Sequence, residues 1–170
     1  MRPKRSRSSV RLVAFWAAIV AVVCVPREAA PGDADDAPLA RRAGITLIVN
    51  TPMRFGTLAD KDGYVEIGPN DNLIANPDHL IVEPTFYSAV IDIDGDPDTA
   101  VTISIAGGSD NGLTISNFHT DRGDPPLTGV SLGPTGTIQL YLGARLAVSS
   151  LSANPGTGLG VPFTITVQYE

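Results

Sequence analysis

The clearest pattern in the chain is an alternation. In Phe163-Thr164-Ile165-Thr166-Val167-Gln168-Tyr169-Glu170, Phe163, Ile165, Val167 and Tyr169 fall on one side. Thr164, Thr166, Gln168 and Glu170 fall on the other. β-Branched and aromatic residues at period two make a half-buried strand. Standing last in the sequence, this strand either closes its own sheet or is offered to a partner. The reading places its four apolar residues in the protein's own core. The same periodicity marks Val101, Ile103 and Ile105 against Thr102 and Ser104. It also marks Ile45, Leu47 and Val49 against Thr46, Ile48 and Asn50, a strand expected to be buried on at least one side and to lie at a sheet edge.

Between these markers the chain reads as short strands and turns. Strands are predicted at residues 64–67, 86–93, 113–118, 127–132 and 136–142. In 113–118, Leu113, Ile115 and Asn117 share a side. A short strand at 79–82 is broken by Glu83-Pro84, and a tight connection at Gly143-Ala144 leads into another strand at Leu146 and Val148. Clusters of Gly, Pro, Asn and Asp punctuate the chain, as at Asn50-Thr51-Pro52, Asp60-Lys61-Asp62-Gly63 and residues 68–72, 107–112, 121–126 and 154–160. No segment keeps a helical period, and no internal repeat is present. About ten short strands at this spacing predict an all-β antiparallel sandwich or barrel.

The first residues follow another rule. Arg2, Lys4, Arg5, Arg7 and Arg11 precede an unbroken apolar run over residues 12–25, which Pro26 ends. As a helix the run would span roughly 21 Å, short of the roughly 30 Å hydrocarbon core. This is the pattern of a secretory signal peptide over residues 1–30, with cleavage between residues 30 and 37. The expected location is the periplasm, the cell surface or the extracellular space, with membrane contact only through the signal during export. Residues 31–43 are rich in Pro, Asp and Ala and read as a disordered linker. The folded domain is expected over residues 45–170.

Processing changes the chemistry. The one cysteine, Cys24, lies inside the signal, so disulfides and thiolate sites are excluded from the mature chain. From residue 31 onward, 17 acids stand against 6 bases, a net charge of about −11, where the whole chain carries −6. Such a surface repels phosphate backbones, which argues against a nucleic-acid partner.

One cluster invites a metal. Asp92, Asp94, Asp96 and Asp98 stand at every second position and could offer oxygens to calcium. An EF-hand loop begun at Asp92 would need Gly and Glu where Pro97 and Ile103 stand. Gly95 and Pro97 also suit an ordinary acidic hairpin turn. The histidines, His79 and His119, are expected in exposed loops. Ser116, His119 and Asp121 are close in sequence, but no strand-to-helix elbow holds a nucleophile, and no metal-ligand spacing is present. The chain is therefore expected to be no enzyme and to carry no cofactor.

Several motifs in order resemble a known family. They are Met53-Arg54-Phe55-Gly56-Thr57-Leu58, Asp62-Gly63-Tyr64-Val65-Glu66-Ile67, the apolar strand ending at Gly95, residues 101–105 and residues 113–118. Leu142-Gly143-Ala144-Arg145-Leu146-Ala147-Val148 and the terminal alternation complete the set. The family is the bacterial exported "domain of unknown function 4402", regarded as similar to fimbrial subunits. Two features depart from it: Ala144 replaces a second Gly, and residues 156–162 lack a Tyr. The resemblance covers residues 45–169. It implies an immunoglobulin-like antiparallel β-sandwich of about eight to ten short strands. It implies no catalytic residue.

Two functions follow as expectations. The first is a structural or adhesive subunit that self-associates, or meets a periplasmic chaperone, through edge strands. The linker is a poor donor for this, with Leu39 its sole large apolar residue. The second is a self-contained binding module for a carbohydrate or surface partner. Its stacking platforms would come from Tyr64, Phe86, Tyr87, Phe118 or Tyr141, most of them expected in the core.

Overall fold

The computed structural model describes residues 13–16, 19–24, 44–149 and 159–170. The linker at 31–43, the cleavage region and most of the 154–160 loop lie outside the described residues. Every regular element described is a strand: β1 (Val13–Trp16), β2 (Ile19–Cys24), β3 (Thr46–Thr51), β4 (Arg54–Leu58), β5 (Gly63–Ile67), β6 (Leu73–Ala75), β7 (Ile81–Tyr87), β8 (Ala89–Asp94), β9 (Ala100–Ala106), β10 (Ser109–Asp110), β11 (Leu113–Thr120), β12 (Leu127–Ser131), β13 (Thr137–Val148), β14 (Leu159–Gly160) and β15 (Phe163–Tyr169).

The strands form three hydrogen-bonded sheets. One runs β14-β1-β4-β7 and another β12-β9-β15-β2. The largest runs β10-β11-β13-β5-β6, with β8 also paired to β13 and β3 to β8. The alternating apolar residues of all three meet in one core. Phe118 of β11 and Phe163 of β15 pack across it with ring centroids 5.6 Å apart, joining the largest sheet to the terminal strand's sheet. The protein is an all-β sandwich, as the turn spacing predicts. Phe163, Ile165 and Val167 are buried as expected, and Tyr169 is half-buried at the rim.

Four local expectations need correction. The chain does not break at Glu83-Pro84: β7 runs through it. Pro84 and Thr85 lie in a bulge opposite Gly56, and β7 pairs with β4 alone, so a missing N–H is tolerated there. Gly56 has φ +83, and a Cβ on it would lie 2.6 Å from the Glu83 carbonyl oxygen. The strand predicted over 86–93 divides at Ser88, where the chain changes sheets. Asp71 Oδ1 holds that corner, accepting from the Ser88 amide at 2.6 Å and its hydroxyl at 2.7 Å.

In β11 the period of two slips after Ser116. Asn117, at φ +47, is exposed, and Phe118 takes the inward place predicted for Asn117. Finally, Gly143-Ala144 is not a connection. β13 runs straight through it as a twelve-residue strand. It pairs with β8 over Thr137 to Leu142 and with β5 over Arg145 to Val148, while β11 lies along its other edge.

Gly143 is where one partner gives way to the next. A Cβ there would collide with the Ile67 carbonyl oxygen and with the Gly68 backbone. Backbone cannot swing aside as a side-chain tip can. Gly143→Val is expected to cost about 2–4 kcal/mol or to prevent folding. Urea unfolding checks this, with Ala147→Val, at a half-buried position of the same strand, as the mild control.

Candidate functional site

The structure disperses the acidic ladder. Asp92 and Asp94 sit on the outer face of β8. Asp92 accepts hydrogen bonds from Asn50 Nδ2 at 2.7 Å and Gln139 Nε2 at 3.0 Å, which hold its carboxyl below the usual range. Gly95 to Asp98 form a turn. The Gly95 amide donates to the Gly136 carbonyl, the Asp96 amide to the Tyr169 hydroxyl at 2.8 Å, and the Asp98 amide to the Gly133 carbonyl. Asp98 has φ +54. The four carboxylates thus belong to a ladder face and a tied turn. Among the described residues, no three His, Cys, Asp or Glu side chains converge as a metal-holding group.

A different cluster forms on the outer face of the largest sheet. Strand register builds it. Arg145 on β13 is directly opposite Glu66 on β5 and Ser116 on β11, and His119 is directly opposite Gly143. The β11 bulge turns His119 outward. The imidazole reaches Glu66 across β13. His119 Nε2 lies 2.6 Å from Glu66 Oε1. Arg145 approaches from the other side, with Nε and Nη2 at 2.9 and 2.7 Å from Glu66 Oε2. Its guanidinium carbon lies 4.4 Å from the centre of the Tyr64 ring. On the outer side of His119, Nδ1 lies 2.8 Å from Asp124 Oδ1. A turn closed by Thr120 and Gly123 brings Asp124 back there.

Glu66 is buried on the solvent face of a sheet because its partners cover it. Its side chain is 6% exposed, against 28% for His119 and 35% for Arg145. Burial alone would raise the Glu66 carboxyl. Hydrogen bonds and charge from His119 and Arg145 outweigh it, so Glu66 titrates below the usual carboxylate range. Burial alone would lower the His119 imidazole. Glu66 and Asp124 outweigh it, so His119 titrates above its ordinary value. The cluster is a chain of alternating charge: Asp124, His119, Glu66, Arg145.

An open cleft of about 450 Å³ borders it, lined by Ile105, Asn117, Phe118, His119, Asp124 and Pro125. Both ring nitrogens of His119 are engaged by carboxylates, which leaves neither to activate a nucleophile. Asp121 instead accepts a hydrogen bond from the Tyr141 amide. The arrangement clamps β5, β11 and β13 together.

His119 is therefore on a strand and partly buried, contrary to the exposed loop expected for it. His79 is exposed in a turn, with φ +49. The aromatic residues also differ from expectation. Tyr87 and Tyr141 are 48% and 37% exposed, and of the five named platforms only Phe118 is buried. Glu66, Asp124 and Arg145 escaped notice because Glu66 and His119 are 53 residues apart. The available signal was Arg145 itself, a cation at an outward position of a strand, two residues from a glycine.

The sign of each shift sets a pH window. The contribution of His119 is full below its unfolded pKa of about 6.5 and is lost as pH rises through its raised folded value. That of Glu66 is present above the usual carboxylate range and is lost as pH falls through its lowered value. Wild type should therefore exceed His119→Gln in urea midpoint most near about pH 5–6, and the gap should close toward about pH 9. Glu66→Ala should cost about 1–3 kcal/mol at neutral pH, a figure reduced because its partners are partly solvated. A gap that widens toward alkaline pH would reject this linkage.

No curated protein matches the chain. Residues 45–169, nearly all of the sandwich from β3 to β15, match one family, and the chain belongs to it: Domain of unknown function (DUF4402).

Proposed function

We propose that this protein is an exported, non-enzymatic structural or adhesive subunit, of the fimbrial kind, that works by pairing sheet edges with another chain. One observation carries the reading. β3 is an edge strand held by β8 alone, and it presents Ile48 and Val49 outward at 46% and 39% exposure. An edge of that composition is a template for pairing unless something covers it. Export rests on the basic residues followed by the apolar run of residues 12–25. The engaged ring nitrogens of His119 support a structural role for the one charged cluster.

A second reading has its own observation. Tyr87 and Tyr141 expose aromatic faces that a sugar ring could stack on. The Tyr141 hydroxyl is tied to Gln139 Oε1 at 2.7 Å, which fixes the ring as a small platform.

The two readings part on assembly. Deleting residues 31–50 from the exported chain should abolish self-association in size exclusion and electron microscopy. Because that deletion also removes pairing from β8, Ile48→Asp with Val49→Asp provides the milder arm. It should weaken association severalfold while leaving the melting temperature within a few degrees, since both positions are exposed. If the exported chain is already a stable monomer and these changes affect folding alone, the fibre reading fails.

A further inference from the structure

The other edges of the sandwich are filled in an unusual way. β4 pairs on one side with β7 and on the other with β1. β15 pairs on one side with β9 and on the other with β2. β1 and β2 both come from the apolar run of residues 12–25. β1 lies antiparallel to β4, from Val13 opposite Leu58 to Trp16 opposite Arg54. β2 lies parallel to β15, from Ile19 opposite Phe163 to Cys24 opposite Val167. One segment therefore closes the edges of two sheets. It is the same segment that the basic-then-apolar pattern marks for removal.

Removal leaves both edges without their partner. The backbone N–H and C=O groups of β4 and β15 that faced β1 and β2 lose their hydrogen bonds. Phe55, Leu58, Phe163, Ile165 and Val167, each at most 2% exposed with β1 and β2 in place, are left bordering an opening. Apolar edges of this kind take up another strand.

We propose that the edge of β15 is a strand-acceptor slot, filled in the uncleaved chain by the protein's own residues 19–24 and, after cleavage, by β3 of a second copy. The inference rests on the fibre reading above and supplies its receiving surface. The linker cannot refill the slot, since Leu39 is its one large apolar residue. β3 can, because it is six residues long, as β2 is, and follows Ile45 with Leu47 and Val49 at alternate positions. β3 pairs with one strand, it has no fully buried side chain, and β8 keeps β13 as a partner when β3 departs. β3 stays joined to its own β4 through Pro52 and Met53, so the second copy must dock directly beside it.

The test uses the full chain with a protease site placed in the linker. Uncut protein is expected to be a monomer with slow amide exchange across residues 54–58 and 163–169. After cutting and removal of the leading segment, the protein should associate. Exchange across residues 163–169 should then be slow in the associated fraction and fast in the monomer, and a synthetic peptide of residues 44–51 should compete with association. Leu47→Asp should abolish association.

Because the cleaved chain has no cysteine, Ile48→Cys in one cut copy and Thr166→Cys in another should also cross-link on mixing, and the uncut proteins should not. A cut monomer whose edges stay slow to exchange closes itself, which defeats both the slot and the fibre. Association with fast exchange across residues 163–169 defeats the slot and leaves the fibre standing. A cut monomer with fast edges defeats the second copy as occupant.

Discussion

A strand can change neighbours along one edge only where its own bulk does not stand in the way. β13 does this at Gly143, passing from β8 to β5 while keeping β11 along its other side. The close approach of Gly143 to the Ile67–Gly68 backbone lets β5 start where β8 ends. The largest sheet is thus assembled around a residue with no side chain. The inward residues of β13, from Ile138 to Val148, then form a continuous floor for the core.

The charged cluster lies on the outer face beside the same glycine, where His119, opposite Gly143, meets Glu66 across β13. Arg145, two residues on, closes the other side. A carboxylate on the outer face of a sheet is ordinarily solvated. Here two cations cover it and convert a surface position into a buried one. In a domain with a strong excess of acids, these are two of its few cationic groups, and both pair with Glu66, His119 holding Asp124 as well.

Much of the fold was legible in the chain. In β9 and β15 strict alternation gave strand position and facing as read, because burial on one side enforces period two; β3 alternates as well, yet Val49 is 39% exposed there. The errors fall where a bulge or a sheet change intervenes. At Asn117 a left-handed residue shifted the period by one, and nothing in Ser116-Asn117-Phe118 announces that. At Ser88 the chain changes sheets in response to Asp71, a partner 17 residues away. Pro84 read as a break because its tolerance depends on lying in a bulge of a strand with one partner. The acidic residues 92–98 were conspicuous in sequence and dispersed in space. The Glu66 cluster was the reverse, since it needs the registers of three strands before its members become neighbours.

The position of β15 bears on when this protein can fold. Its ladder partner β9 begins at Ala100, and Phe163 supplies the ring that packs on Phe118. Until residues 163–167 have been made, the interior lacks one of its walls, and earlier segments have only an incomplete core to gather around. The earlier strands gain that wall only once residues 163–167 are in place, and contacts so distant in sequence form slowly.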